Sequence, residues 1–269
     1  MKKNVAKNSA VIDFKTLGLL AFMYAIIVTN IYLYLTKPLP LILHMIISVI
    51  PIHCAFTVWH EAAHMTVSNR RWINNLVGIF GMLPYKTPYF TQRWIHLQHH
   101  KLLNEKNDPN FIYIDGPFWQ LPFRYLRGAK YMKELMKQQI LTPKEILSDR
   151  LTTLFVLVVY VVAFINGFLL DVVLLWFIPF LIAKGIMDWY VNYIPHVGLP
   201  VDRYQGTRII KATWLTPLIL CHNYHAIHHL WPTQPWHKYI KVFKEKEHEL
   251  ISKGVPIEFN PFTAGKVTK

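Results

Sequence analysis

The stretch Cys221-His222-Asn223-Tyr224-His225-Ala226-Ile227-His228-His229-Leu230-Trp231-Pro232 sets four histidines within eight residues. Three of them, His225, His228 and His229, follow the i, i+3, i+4 spacing that puts their imidazoles on one face of a helix. His96-Leu97-Gln98-His99-His100 repeats that spacing, and His60-Glu61-Ala62-Ala63-His64 offers a pair at i, i+4. Imidazole is a common ligand for iron, zinc and copper. Eight histidines in three clusters are more than one tetrahedral zinc can use. The arithmetic points to two metal ions, with His60, His64, His96, His99, His100, His225, His228 and His229 as ligands. Alone, His60-Glu61-Ala62-Ala63-His64 matches the H-E-x-x-H pattern of zinc proteases, in which the Glu is the general base. A single catalytic zinc has no use for two further H-x-x-H-H triplets. Glu61 therefore reads as a carboxylate orienting an imidazole N–H, or else as a solvated charge past a helix end.

Further candidates surround the clusters. Asp188, Asn192 and His196 run at i, i+4, i+8, so one helical face can carry them towards the same site before Pro195 disturbs the helix. His196 reads as a ninth ligand. Asn192 can hold a water or bind weakly, and Asp188 either pairs with Lys184 at i−4 or serves the metals. His222, at i−3 from His225, is a candidate to support a ligand. His53 lies seven residues before His60 on the same helix face, where a substrate channel could pass. A polar residue inside a span is a functional candidate by default; for His53 and His44 the alternative is a hydrogen-bonded core histidine. His237 and His248 read as surface residues. The two cysteines, Cys54 and Cys221, form no disulfide framework and read as buried, reduced thiols.

Elements able to position these groups are legible in the hydropathy. With 53% hydrophobic and 16% charged residues, the 269-residue chain is too apolar for an ordinary soluble domain. Leu17 to Leu35 can cross a bilayer, Lys37-Pro38-Leu39-Pro40 breaks the run, and Leu41 to Trp59 brings the chain back. Leu151 to Leu170 forms a third span, Asp171 marks a turn, and Val172 to Tyr190 forms the fourth. Met1-Lys2-Lys3 before an apolar run resembles a signal peptide, but the run begins only near Leu17, with no small-residue cleavage site after it, and is read as retained. The net charge of +14 falls on one side of this topology, since Lys37 is the lone basic residue in the two outer turns. Both termini and the histidine clusters are accordingly expected in the cytoplasm. The charge reads as topology and attraction to anionic lipid, not as nucleic-acid binding. Phe123, Leu126, Ala129, Met132, Met136 and Ile140 recur at helical spacing opposite Arg124, Arg127, Lys130, Lys133 and Lys137, which predicts an amphipathic helix in the membrane interface or a solvated one. A charged helix is expected from His237 to Leu250, and a loosely ordered end from Pro261 to Lys269.

Three segments carry a resemblance. Trp59-His60-Glu61-Ala62-Ala63-His64, Ile95-His96-Leu97-Gln98-His99-His100 and Asn223-Tyr224-His225-Ala226-Ile227-His228-His229-Leu230-Trp231-Pro232 resemble the three histidine boxes of the membrane fatty acid desaturase/hydroxylase superfamily. Asn107-Asp108-Pro109-Asn110 and Trp189-Tyr190-Val191-Asn192-Tyr193-Ile194-Pro195-His196 fit the same pattern, which makes Asp108 a further candidate ligand or ligand partner. The block His225 to Tyr239 is most similar to bacterial and cyanobacterial β-carotene hydroxylases. The similarity covers about residues 56–110 and 186–255. It implies an all-α, integral membrane four-helix bundle of two transmembrane hairpins, with a cytoplasmic helical cap holding a histidine-rich di-iron site, as one domain over residues 1–269. It also implies two non-haem irons that use O2 against an unactivated C–H bond of a long apolar lipid. A carotenoid ring to be hydroxylated is the first expectation, and a fatty acyl chain to be desaturated is the second. No haem or flavin segment is evident, so a separate electron donor of ferredoxin or cytochrome type is expected. A non-enzymatic metal carrier would want ligands along a path across the bilayer, whereas these clusters gather at one face.

Overall fold

A computed structural model describes residues 11–262, with the side chains of 126–130 left aside. Lys2, Lys3 and Lys7, the side chains of Leu126, Arg127, Ala129 and Lys130, and the end expected to be loosely ordered beyond residue 262 lie outside the described residues. Among the described residues four helices are long and apolar enough to cross a membrane: α1 (Phe14–Thr36), α2 (Leu41–Ala63), and two later ones introduced below. Asp13 caps α1, accepting a hydrogen bond from the Lys15 N–H at 3.3 Å. Each of the first two has 23 residues, roughly 34 Å at 1.5 Å per residue, enough for the apolar layer. α2 runs past the expected Trp59, so His60 is still helical and His64 is its C-cap. Between α1 and α2 the Asn30 amide donates to the His44 carbonyl (3.0 Å) and to Ser48 Oγ (2.9 Å), and its Oδ1 lies 2.7 Å from His44 Nδ1. His44 is thus a hydrogen-bonded core histidine, the kind of polar contact that joins helices in an apolar medium.

From α2 the chain enters α3 (Arg71–Met82), an element the hydropathy reading passed over. It packs closely on α2 because Gly81 lets the backbones meet: a Cβ there would stand 2.9 Å from the Trp59 nitrogen. A short turn leads to α4 (Tyr89–Lys101), which carries the second histidine cluster in its last two turns. The Asp149 carboxylate accepts from the N–H groups of Phe90 (3.0 Å) and Thr91 (2.8 Å), supplying the acceptors that the start of α4 lacks.

α5 (Leu121–Lys137) is the expected amphipathic helix, ending before Ile140. Its buried side differs from the expectation. Arg124 and Leu135 are buried while Phe123 is 63% exposed, because Arg124 turns inward to donate to the Tyr113 carbonyl at 3.0 Å. α6 (Pro143–Ile165) starts two turns earlier than the apolar run, at a capping box in which Thr142 and Glu145 satisfy each other's backbone. It stops at Ile165, and the turn falls at Gly167, whose φ of +78° favours glycine, instead of at Asp171. Asp171 belongs to the first turn of α7 (Leu169–Tyr193), where it accepts from the Tyr34 hydroxyl. Two π-helical turns, Val173–Phe177 and Asp188–Tyr193, interrupt α7.

Beyond α7 the chain folds over one end of the bundle as α8 (His225–Leu230) and α9 (Tyr239–Ser252), with a two-residue parallel pair, β1 (Ile209–Ile210) and β2 (Ile257–Glu258). α9 starts slightly later than expected, after a turn at Trp236–Lys238. There His237 is no plain surface residue, since its Nε2 lies 3.0 Å from Asp13 Oδ1; His248 is exposed as expected. Two apolar cores result, one among the long helices around Ala55, Val58, Ala183 and Met187, the other in this cap around Ile227, Tyr239, Phe243 and Leu250. Cys54 and Cys221 are buried free thiols, and burial pushes the Cys221 thiol up to about 11.

Candidate metal centre

Four helix ends converge at the junction of bundle and cap. His60 and His64 close α2, His96, His99 and His100 close α4, His196 follows α7, and α8 carries His225, His228 and His229. The carbonyl ends of α2, α4 and α7 are the negative poles of their dipoles, which favours a cation between them. His196 does not ride on a helix as its spacing suggested. α7 ends at Tyr193, and Arg208 holds the following turn by donating to the carbonyls of Ile194 and of Val197, the latter at 2.7 Å. The π turn adds a residue to the last coil of α7 and ends the helix before Pro195, so a plain i, i+4, i+8 projection misplaces His196.

The nine imidazoles fall into groups. One nitrogen each from His60, His64, His96 and His228 lie within 4.8 Å of one another, as do those of His99, His196, His225 and His229. His100 joins His228 and His229 in a third group between them. Through His100 the Nε2 atoms of the first group are linked in a chain: His64 to His96 2.6 Å, His96 to His100 3.2 Å, His100 to His228 2.8 Å, and His228 to His60 3.1 Å. An imidazole Nε2 carries either one proton or one lone pair, so it takes part in a single hydrogen bond. Five such atoms cannot satisfy four consecutive contacts. Lone pairs converging on a shared cation can satisfy all of them, and neither nitrogen of buried His196 has a hydrogen-bond partner. The donor set thus fits metal ions. Burial pushes the His64 imidazole down to about 3, with the Arg93 charge acting in the same direction. His96, His100, His196, His225, His228 and His229 are likewise held well below the ordinary 6.5 by burial first and neighbouring charges second. Neutral imidazoles are the form that binds metal.

Carboxylates stand behind the imidazoles, where they fix which nitrogen is free. Asp108 takes the Nδ1–H of His99 at 2.9 Å and also accepts from the N–H groups of Asn104 (2.9 Å) and Asn110 (2.7 Å). A carboxylate only accepts, so His99 Nε2 is left as the lone pair. Glu61 accepts from Thr66 Oγ1 (2.6 Å), the Trp236 N–H (3.2 Å) and the Tyr239 hydroxyl (3.5 Å), while its Oε1 lies 3.6 Å from His60 Nδ1. Those contacts occupy it behind His60, which is the wrong side for the base of a zinc protease. The Tyr239 oxygen also lies 3.1 Å from His228 Nδ1. No sequence spacing pointed to Tyr239, although it closes the block quoted for its resemblance.

The other candidates are turned elsewhere. Asp188 pairs with Lys184 at 2.6 Å and accepts from Tyr125 at 2.6 Å and from Asn192 at 3.1 Å. Asn192 accepts in turn from Asn110 at 3.1 Å. Neither belongs to the nitrogen groups, and for Asp188 the lysine is the partner. His222 Nε2 lies 2.9 Å from Thr57 Oγ1, directed into α2. His53 Nε2 donates to the Leu218 carbonyl at 2.9 Å, and its Nδ1 lies 3.1 Å from the Tyr190 hydroxyl.

The family model described as fatty acid desaturase matches residues 36–260. The sn-1 oleoyl-lipid 12-desaturase of Picosynechococcus sp. is 26% identical over 212 residues, covering 65% of this chain and 60% of that protein. Dihydrorhizobitoxine desaturase of Bradyrhizobium elkanii is 28% identical over 214 residues, covering 67% and 60% respectively. A shorter match, 29% over 79 residues (29% of this chain, 22% of the relative), is to the sn-1 acyl-lipid omega-3 desaturase (ferredoxin) of Nostoc sp.. The chain spans about 60% of the length of the first two relatives. All three names denote desaturation, so they favour the second expectation and leave the β-carotene hydroxylase similarity without support.

Proposed function

Because the chain belongs to the fatty acid desaturase family, we propose that it acts, as one membrane-embedded domain, as an O2-dependent oxidoreductase that introduces a double bond into a lipid acyl chain. The observation that carries this reading is the convergence of nine imidazoles at one end of four long apolar helices. We assign His60, His64, His96 and His228 to one iron and His99, His196, His225 and His229 to the other, with His100 facing both. Bound there, the irons would supply O2 activation for hydrogen removal from an unactivated C–H bond. The chain's own part is geometric and electrostatic. Asp108 fixes the ring of His99, and Tyr239 with Glu61 fixes that of His228. Burial of the cluster keeps water out and the imidazoles neutral. His53 and Tyr190, paired inside the bundle, are assigned to the wall of the substrate path.

Acyl lipid is favoured over a carotenoid ring by the names of two of the relatives, while the third is named for dihydrorhizobitoxine. Electrons come from a separate donor, with ferredoxin favoured by the Nostoc relative's name. The distribution of basic residues supports a histidine site on the cytoplasmic side. Expression in a host with monounsaturated membrane lipids and a ferredoxin system tests the reading by mass spectrometry of fatty acids. A new acyl double bond is expected, accompanied by about two irons per chain. The His228→Ala protein should insert at the same yield but lose iron and product. Hydroxylated carotenoid in a β-carotene-producing host, with acyl chains unchanged, would overturn desaturation in favour of the hydroxylase.

A further inference from the structure

A cavity of about 480 Å³, away from the histidines, lies between the first turn of α4, the 139–141 link and α6. Its polar end holds Thr91, Gln139 and Arg150, and its apolar wall runs along Leu154 and Leu157. Most of the polar groups there are already used. Gln139 donates to Thr91 Oγ1 at 2.9 Å, and Asp149 is taken up by the two N–H groups of α4. The Arg150 guanidinium is the exception: it is exposed and makes no hydrogen bond or ion pair among the described residues. Arg150 is also the last charged residue before the uncharged run 151–165, which sets it where a span meets the headgroup layer. Leu154 and Leu157 follow at i+4 and i+7, on the same face and one and two turns deeper, 54% and 57% exposed.

A free cation above an open apolar strip, at a spacing fixed by one helix face, matches a phosphate joined to an acyl chain. A soluble anion would leave the strip uncovered. A lipid without a phosphate would leave the guanidinium unpaired, a zwitterionic one already neutralises its phosphate with its own ammonium, and an apolar partner helix would bury that charge at a cost. We propose that the groove binds one anionic glycerophospholipid, with its phosphate on Arg150 and an acyl chain along Leu154 and Leu157. The lipid braces the start of α4, whose other end carries His96, His99 and His100. This assignment needs the membrane but not the chemistry at the metals, so it stands or falls apart from the desaturase reading.

The test is native mass spectrometry of the full chain in detergent, given phosphatidylglycerol and phosphatidylcholine with the same acyl chains. One phosphatidylglycerol per chain is expected to be retained in preference to phosphatidylcholine. Arg150→Gln should weaken phosphatidylglycerol binding about fivefold, the effect of one interfacial cation, and weaken phosphatidylcholine less, because its ammonium already neutralises the phosphate. Leu157→Trp, which fills the apolar end, should weaken both lipids. Unchanged metal content certifies that each variant is folded. Equal retention of the two lipids by the unaltered chain, undiminished phosphatidylglycerol in Arg150→Gln, or full displacement by glycerol phosphate would overturn the proposal.

Discussion

His99, proposed as an iron ligand, shows how little of such a role is decided by the imidazole itself. Its Nε2 is free because Asp108 holds its Nδ1–H at 2.9 Å, and Asp108 is held by two backbone N–H groups of its own loop. Asp108→Asn keeps an acceptor near the ring but removes the charge, and the expected outcome is a 10- to 100-fold loss of metal affinity. Competition with a graded chelator checks this; unaltered affinity would remove Asp108 from the metal centre. The buried imidazoles also fix how the metal-free protein responds to pH. His64 is pushed down to about 3 in the folded chain and returns to about 6.5 when unfolded. Below 6.5 the unfolded chain therefore binds the proton first, and stability that is full above 6.5 is lost as pH falls towards 3. Chelator-stripped protein should melt at progressively lower temperature from pH 7 to pH 5 in a thermal-shift series. A flat profile would contradict the burial that keeps these rings neutral.

At the level of elements, the histidine boxes are set by how closely helices approach. Gly78 and Gly81 give α3 its fit against Tyr89 and α2: a Cβ on Gly78 would overlap the Tyr89 ring, and one on Gly81 would meet the Trp59 backbone. Tyr89 is buried at the first position of α4, the helix that carries three of the histidines. Gly78→Ala should therefore destabilise the fold by roughly 1–3 kcal/mol, as overpacking does, seen as a lower melting temperature and less monodisperse protein. The spans themselves were legible because a run of apolar residues has few other uses. Their ends were less so. The Thr142/Glu145 capping box extends α6 beyond its apolar run, and Gly167 takes the turn from Asp171 because its positive φ is open to glycine. α3 escaped notice because half-apolar helices that lie against a bundle lack the length that marks a span.

For the whole molecule, the histidine cluster draws its ligands from elements of two apolar cores, one built from spans and one from the cap. A cytoplasmic site is the proposal that the distribution of basic residues supports, and Lys37, in the turn between α1 and α2, is the place to check it. A Lys37→Cys protein, with Cys54 and Cys221 buried, should react with a membrane-impermeant thiol reagent added outside intact cells. Labelling only after the membrane is opened would invert the topology.

By itself, the sequence determined the helical membrane class and the histidines that could serve as ligands, and it raised the expectation of two metals, because apolar length and i, i+3, i+4 spacing are local properties. The tertiary structure alone decided which imidazoles share a centre. It also decided that Asp188 goes to Lys184, that His222 turns to Thr57, and that Tyr239 supports His228 from 11 residues away while reaching Glu61 across 178. For Asp188 the structure chose between two partners that local spacing had offered; the others are distant in the chain, brought together by helix packing and by where π turns and glycines end each element.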